Sequence, residues 1–195
     1  GLGEMYRNNV QWGLDYVMQA DRDDKIIGTI GDFTGGSTDH NIWCSAEVYL
    51  RKHHLNNGDW ERPYDEIADS CTIALCAAAL AQGYIIFKDD QPDKAAAYLA
   101  QAEKYFKTAD SIRDNENGAM GSMYKPSSWV DDCMYAANWL YMATGDKSYL
   151  DKIESDYIPQ FPTESQSTDW KYTWGFCWDD TTQAAALLYA INTGK

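Results

Sequence analysis

The run over residues 65–87 constrains the fold most: it is long, apolar and rich in alanine. Ile67, Cys71, Ala74, Leu75, Ala78, Ala79, Ile85 and Ile86 recur on it at spacings that suit helical turns rather than strands. Small side chains let helix backbones approach closely, so this segment is expected to pack among other helices rather than face water. The rest of the chain repeats the pattern in pairs. Residues 6–20 place Val10, Leu14, Val17 and Met18 at helical spacing. Pro92 suits the first turn of a helix running to about residue 110 through Ala95, Leu99, Ala102 and Phe106. Further helices are expected over 131–143, ended by Gly145, over 146–155, capped by Asp146, and over 179–191. A short extended piece near 25–30 is the exception. The expected fold class is therefore all-α, one domain over residues 1–195.

Charge and cysteine content narrow the partners. Lys and Arg number 16 against 30 Asp and Glu, a net charge of -14. Nucleic acid and anionic membrane surfaces repel such a chain, whereas a neutral polysaccharide or a cation such as calcium does not. Uninterrupted apolar runs of about 18 residues are lacking, so no membrane-spanning helix is expected. Cys44, Cys71, Cys76, Cys133 and Cys177 are odd in number and form no C-x-x-C, which fits neither a zinc framework nor a full disulfide scaffold. Cys71 and Cys76 lie in the apolar run and read as small core residues.

The long loops, over residues 21–43, 114–129 and 159–178, hold most of the Trp, Gly, His and Asp. Loops on a rigid scaffold commonly carry function. Residues 170–180, Asp39-His40-Asn41-Ile42-Trp43 and the helix start at Asp131-Asp132 set aromatic rings beside carboxylates. A pyranose offers C–H faces that stack on aromatic rings and hydroxyls that carboxylates accept, so this is the composition of a sugar cleft. Trp12, Trp139 and Trp178 read as core, and Trp60 as a loop anchor. The pairs Asp23-Asp24, Asp89-Asp90, Asp131-Asp132 and Asp179-Asp180 have ordinary explanations. The first is a solvated loop, the second a turn and cap, and Asp131, Asp132 and Asp179 stand where helix caps stand.

Five runs, in order, resemble glycoside hydrolase family 9. They are Trp12-Gly13-Leu14-Asp15-Tyr16; Asp39-His40-x-x-Trp43-x-x-x-Glu47; and Asp65 with Ala77 to Ala81 and Phe87-Lys88. The fourth is Asp131-Asp132 with Ala136-Ala137-x-Trp139-Leu140-Tyr141-x-Ala143-Thr144-Gly145-Asp146, and the last is Trp174-x-x-x-Trp178-Asp179. The resemblance implies an (α/α)6-barrel, a toroid of helical hairpins of which this chain supplies roughly half. It implies an inverting endo-β-1,4-glucanase, a secreted protein, whose substrate is cellulose or a β-glucan oligosaccharide. His40, Trp43, Tyr124 and Trp174 would be substrate-binding residues, with Trp174 the platform. Ser128, Asp131, Asp132 and Asp179 would hold a structural Ca2+, an ion that takes six to eight oxygens. The family's D-A-G-D run and its C-terminal catalytic Glu have no counterpart here, so no catalytic residue is expected within the chain, which alone would be inactive. Two other readings stay open: a non-catalytic glucan-binding or structural helical protein, and a different helical-toroid carbohydrate enzyme. Half a barrel is expected to expose apolar positions such as Ile73, Ala77, Leu80 and Leu140, to be covered by the remainder of the barrel or by self-association.

Overall fold

The computed structural model describes residues 1–31, 43–45, 47–49, 64–115, 125–161 and 175–195. Six α-helices organise these residues: α1 (Leu2–Gln19), α2 (Ser70–Phe87), α3 (Pro92–Ile112), α4 (Val130–Thr144), α5 (Ser148–Lys152) and α6 (Thr182–Thr193). A three-stranded antiparallel sheet, β1 (Asp21–Arg22), β2 (Lys25–Ile30) and β3 (Tyr64–Ile67), lies between α1 and α2 in the sequence.

Helix α2 is the centre of the molecule. Asp69, in an extended conformation, starts it by accepting the Thr72 backbone N–H on Oδ1 at 2.8 Å. The segment 65–67, expected to be helical, is instead sheet. Ile67 pairs with Ile26, Glu66 with Ile27, Asp65 with Thr29 and Tyr64 with Ile30. The helical reading failed because Ile67 keeps the i, i+4, i+7 rhythm with Cys71 and Ala74, while the cap at Asp69 fixes where the helix can begin. The β2–β3 register slips at Gly28, where an added Cβ would come within 2.2 Å of the Ile67 side chain. Only glycine fits that bulge.

Around α2 pack α1, α3 and α4. Gly83 lets α1 approach: a Cβ there would lie 2.6 Å from Leu14 Cδ1 and 3.2 Å from Tyr98 Cδ2. Ile73, Ala77, Leu80 and Leu140, expected to be exposed, are all buried. The packing of α1, α3 and α4 around α2 explains this, and burying a leucine such as Leu80 stabilises by about 2 kcal/mol. By length and composition α2 could cross a membrane, contrary to the expectation that no such helix exists. More than half of it is buried inside the protein, which is how a core helix behaves.

Helix α3 opens on Pro92 and closes at Arg113, whose φ of 55° is left-handed. The turn ahead of it does not cap it: Gln91 holds the N-cap position without a side-chain bond, and Asp90 pairs with Arg7 on α1. The two ends of the α2–α3 hairpin are fastened together. The Ser70 N–H donates to the Asp114 carbonyl at 2.8 Å, the Asp114 N–H donates to Ser70 Oγ at 3.1 Å, and Ser70 Oγ donates to the Ala109 carbonyl at 2.7 Å. Helix α4 ends at left-handed Gly145, as expected. The helix expected over 146–155 is α5 followed by a π-turn, Ile153–Tyr157, with Asp146 Oδ1 accepting the Ser148 N–H. Helix α6 packs on α4 through Ala185, whose carbonyl accepts Asn138 Nδ2 at 3.1 Å.

Candidate functional site

The first turn of α4 carries Asp131 and Asp132, each about 1% exposed. Neither caps the helix. Trp129 sits at the N-cap without a side-chain bond, and Ser128 Oγ accepts the Val130 N–H at 3.2 Å instead. Both carboxyls converge on Thr181, itself buried. Its N–H donates to Asp131 Oδ2 at 2.9 Å and its hydroxyl to Asp132 Oδ1 at 2.9 Å. Burial raises the pKa of Asp131, opposed by the Thr181 N–H. Burial, and then the neighbouring Asp131 charge, hold that of Asp132 well above the usual carboxylate range. The positive end of the α4 dipole, two residues away, favours the charge that burial disfavours.

Thr181 is thus the pin that fixes residues 175–181 to α4. A second pin is Asp179: its Oδ1 accepts the Ser127 N–H at 2.7 Å, joining this segment to the loop ahead of α4. Asp179 was expected to start a helix, but α6 begins at Thr182 and the capping contact comes from Asp180, whose Oδ1 accepts the Thr182 N–H at 2.9 Å. Asp69, at the start of α2, is a third buried carboxylate, its pKa raised by burial against the Thr72 N–H. The sequence patterns above leave out Thr181 and Asp69, and place Asp180 only within an acidic pair. Their signals are the Thr-Thr that follows Asp179-Asp180 and the Asp-x-x-Thr that precedes the apolar run.

Pinned in this way, the segment presents aromatic rings outward. Phe176 is exposed and lies 5.9 Å from Tyr135 on α4, which meets Trp139 edge-on at 6.2 Å. Trp178 is 60% exposed and Trp12 79% exposed, so neither is the core residue expected, while Trp139 is half-buried. Trp43 is 95% exposed, beside a single helical turn in which the Val48 and Tyr49 N–H groups donate to the Ser45 carbonyl. His40, Tyr124 and Trp174 lie outside the described residues.

The four residues expected to hold calcium are engaged with protein groups: Asp131 and Asp132 with Thr181, Asp179 with Ser127, Ser128 with Val130. Among the described residues no three His, Cys, Asp or Glu side chains are gathered so as to hold a metal ion. The Asp pairs elsewhere are unlike a catalytic pair. Asp23 stands fully exposed at a left-handed φ of 63°, and Asp90 is tied to Arg7. All five cysteines are free thiols; Cys71 and Cys133 are buried, Cys44 and Cys177 exposed.

The model of glycosyl hydrolase family 9 matches residues 2–194. The chain belongs to that family. Endoglucanase B of Cellulomonas fimi is 33% identical over 97% of this chain, which spans 18% of that protein. Among solved structures, endoglucanase CelQ of Clostridium thermocellum complexed with cellotetraose superposes with a TM-score of 0.81 at 40% identity. That match takes in 97% of this chain and 29% of CelQ. The endoglucanase of the termite Nasutitermes takasagoensis gives a TM-score of 0.76 at 25% identity, over 97% of this chain and 41% of that one. The family 9 fold is an (α/α)6-barrel, and the described helices are part of one.

Proposed function

We propose that this chain is the part of an inverting endo-β-1,4-glucanase that forms a sugar-stacking wall of the cleft, with the catalytic carboxylates supplied from outside it. The observation that carries the reading is the match to CelQ, whose structure holds cellotetraose, across nearly the whole chain. Local geometry supports it: Trp43 offers a free ring face, and the 175–181 segment is held rigidly by buried bonds to α4. Inversion requires two carboxyls roughly 6.5–9.5 Å apart on opposite faces of the scissile bond. The buried Asp131–Asp132 pair is turned to Thr181 and cannot serve both faces.

Calcium and secretion belong to the same proposal. Asp131 Oδ1 is buried without a hydrogen-bond partner among the described residues and sits beside a second carboxyl, the arrangement a cation would offset. Melting temperature with calcium against EGTA tests it, a rise of several degrees being the expected result. A polymeric β-glucan substrate implies an extracellular site of action, tested by fractionating the producing culture.

The deciding experiment pairs two assays on the 195-residue chain. Titration with cellotetraose is expected to show binding, and carboxymethyl-cellulose is expected to stay intact. Hydrolysis by the chain alone would place the acid and base within it and overturn the assignment. Failure to bind any cello-oligosaccharide would overturn the wall.

A further inference from the structure

Helices α4 and α6 end on left-handed glycine, Gly145 at φ 73° and Gly194 at φ 72°. Helix α3 ends on Arg113 at φ 55° instead, where glycine is the usual residue and a side chain strains the backbone. The arginine is held there by its contacts. Its Nε donates to the Asp110 carbonyl at 2.9 Å and Nη2 to Asp110 Oδ1 at 3.0 Å, and both Nη groups donate to the Asp156 carboxylate. The guanidinium lies over the Trp129 ring, 5.3 Å from its centroid, and Tyr157 meets the same ring edge-on at 6.3 Å.

Trp129 closes a short non-helical segment, residues 125–129, whose last four residues are all held from outside it. Asn115 Nδ2, two positions past Arg113, donates to the Pro126 carbonyl at 2.9 Å. The Ser127 N–H donates to Asp179 Oδ1 at 2.7 Å, and Cys71 Sγ on α2 donates to the Ser128 carbonyl at 3.2 Å. Trp129 has the Arg113 guanidinium. Between Arg113 and Asn115 the Asp114 backbone clasps Ser70, so three successive residues at the end of α3 tie α2, the π-turn and this segment together.

We infer that Arg113 and Asn115 are positioning residues for glucan binding, acting through segment 125–129 rather than on the sugar. The inference rests on the cleft wall proposed above and deepens it. The segment joins directly to Tyr124 in the chain, and through Asp179 it meets residues 175–181, which expose Phe176 and Trp178. It has no helical or sheet ladder of its own, so these side chains set its order. A wall ordered before the ligand arrives loses less freedom on binding, and its affinity is higher for it. Arginine suits the place because one planar group can fork onto carboxylates and stack on a ring, which an ammonium cannot do.

Arg113→Gly separates position from stability. Glycine relieves the left-handed backbone and offsets the loss of partly exposed ion pairs, so the urea midpoint should move little. Backbone order parameters of residues 127–129, measured by NMR, should fall from about 0.85 toward 0.6. Cellotetraose affinity should fall about tenfold, the factor that ordering one backbone residue on binding represents. Asn115→Ala should loosen Ser127 in the same way, and Arg113→Lys should resemble Arg113→Gly. Arg7→Ala removes an ion pair and a ring contact of the same kind from α1 and should leave both readouts unchanged. Order parameters that stay high in Arg113→Gly and Asn115→Ala would overturn the inference. So would a looser segment with undiminished cellotetraose affinity. Loss of order in the variants of a chain that itself binds no cello-oligosaccharide would overturn the proposed function and leave the clamp standing.

Discussion

Thr181 shows how one small side chain can organise a site. Its N–H and hydroxyl both serve buried carboxyls, so removing the hydroxyl strands a group that water cannot reach. Thr181→Val keeps nearly the same volume and is expected to cost about 1–3 kcal/mol, read from the urea midpoint; an unchanged midpoint would mean the bond contributes nothing. Trp43 is the opposite case. Its ring touches little protein, so Trp43→Ala should leave the melting temperature within a degree or two. It should weaken cellotetraose binding roughly five- to tenfold, the worth of about 1 kcal/mol for one aromatic contact, measured by calorimetry. At this scale the sequence was only partly legible. Asp131 and Asp132 are recognisable as residues at a helix start, but their partner is not, because Thr181 is some fifty positions away; Asp179 does not start a helix, and its partner Ser127 is as far off. Trp12 and Trp178 were read as core because indoles usually are; exposure depends on what the fold places opposite them.

Helices α2, α3 and α4 were legible to within a few residues at most ends, because their apolar period is unbroken and Pro92 and Gly145 punctuate it. Strand β3 was not, since Tyr64-Asp65-Glu66-Ile67 has two acids and earns its place only by pairing with β2. The helix over 146–155 was legible as a start and not as an end: the π-turn follows from tertiary contacts. Within that turn Asp156 bonds Arg113 at the end of α3 and Lys152 on α5, and Tyr157 donates to Asp110 at 2.8 Å. The Arg113 guanidinium holds the Asp156 carboxyl below its ordinary value of 3.8. A depressed folded-state pKa contributes stability that is complete above that ordinary value and is lost as pH falls through the lower, folded one. Urea midpoints measured from pH 6 down to pH 2 should therefore fall less steeply for Asp156→Asn than for the unaltered chain. Parallel curves would remove this ion pair from the account of acid unfolding.

At the scale of the whole molecule, the expectation of exposed apolar stripes was right in kind and misplaced in position. The alanine-rich run is packed against α1, α3 and α4 and more than half buried, while large exposed apolar side chains fall on α1 and α6. A sequence reveals how apolar a helix is, but not how many helices surround it. The clasp between Ser70 and Asp114 bears on the order in which the molecule assembles. It closes the α2–α3 hairpin on itself across 39 to 44 residues, with contacts that need neither α4 nor α6. All of its partners have been synthesised by residue 114, so this hairpin should gain its native hydrogen bonds first, while residues beyond 130 are still leaving the ribosome. Amide exchange on the finished protein carries the same signature: protection should be deepest along α2 and α3, and shallowest in α1 and α6, the helices packed on one side only.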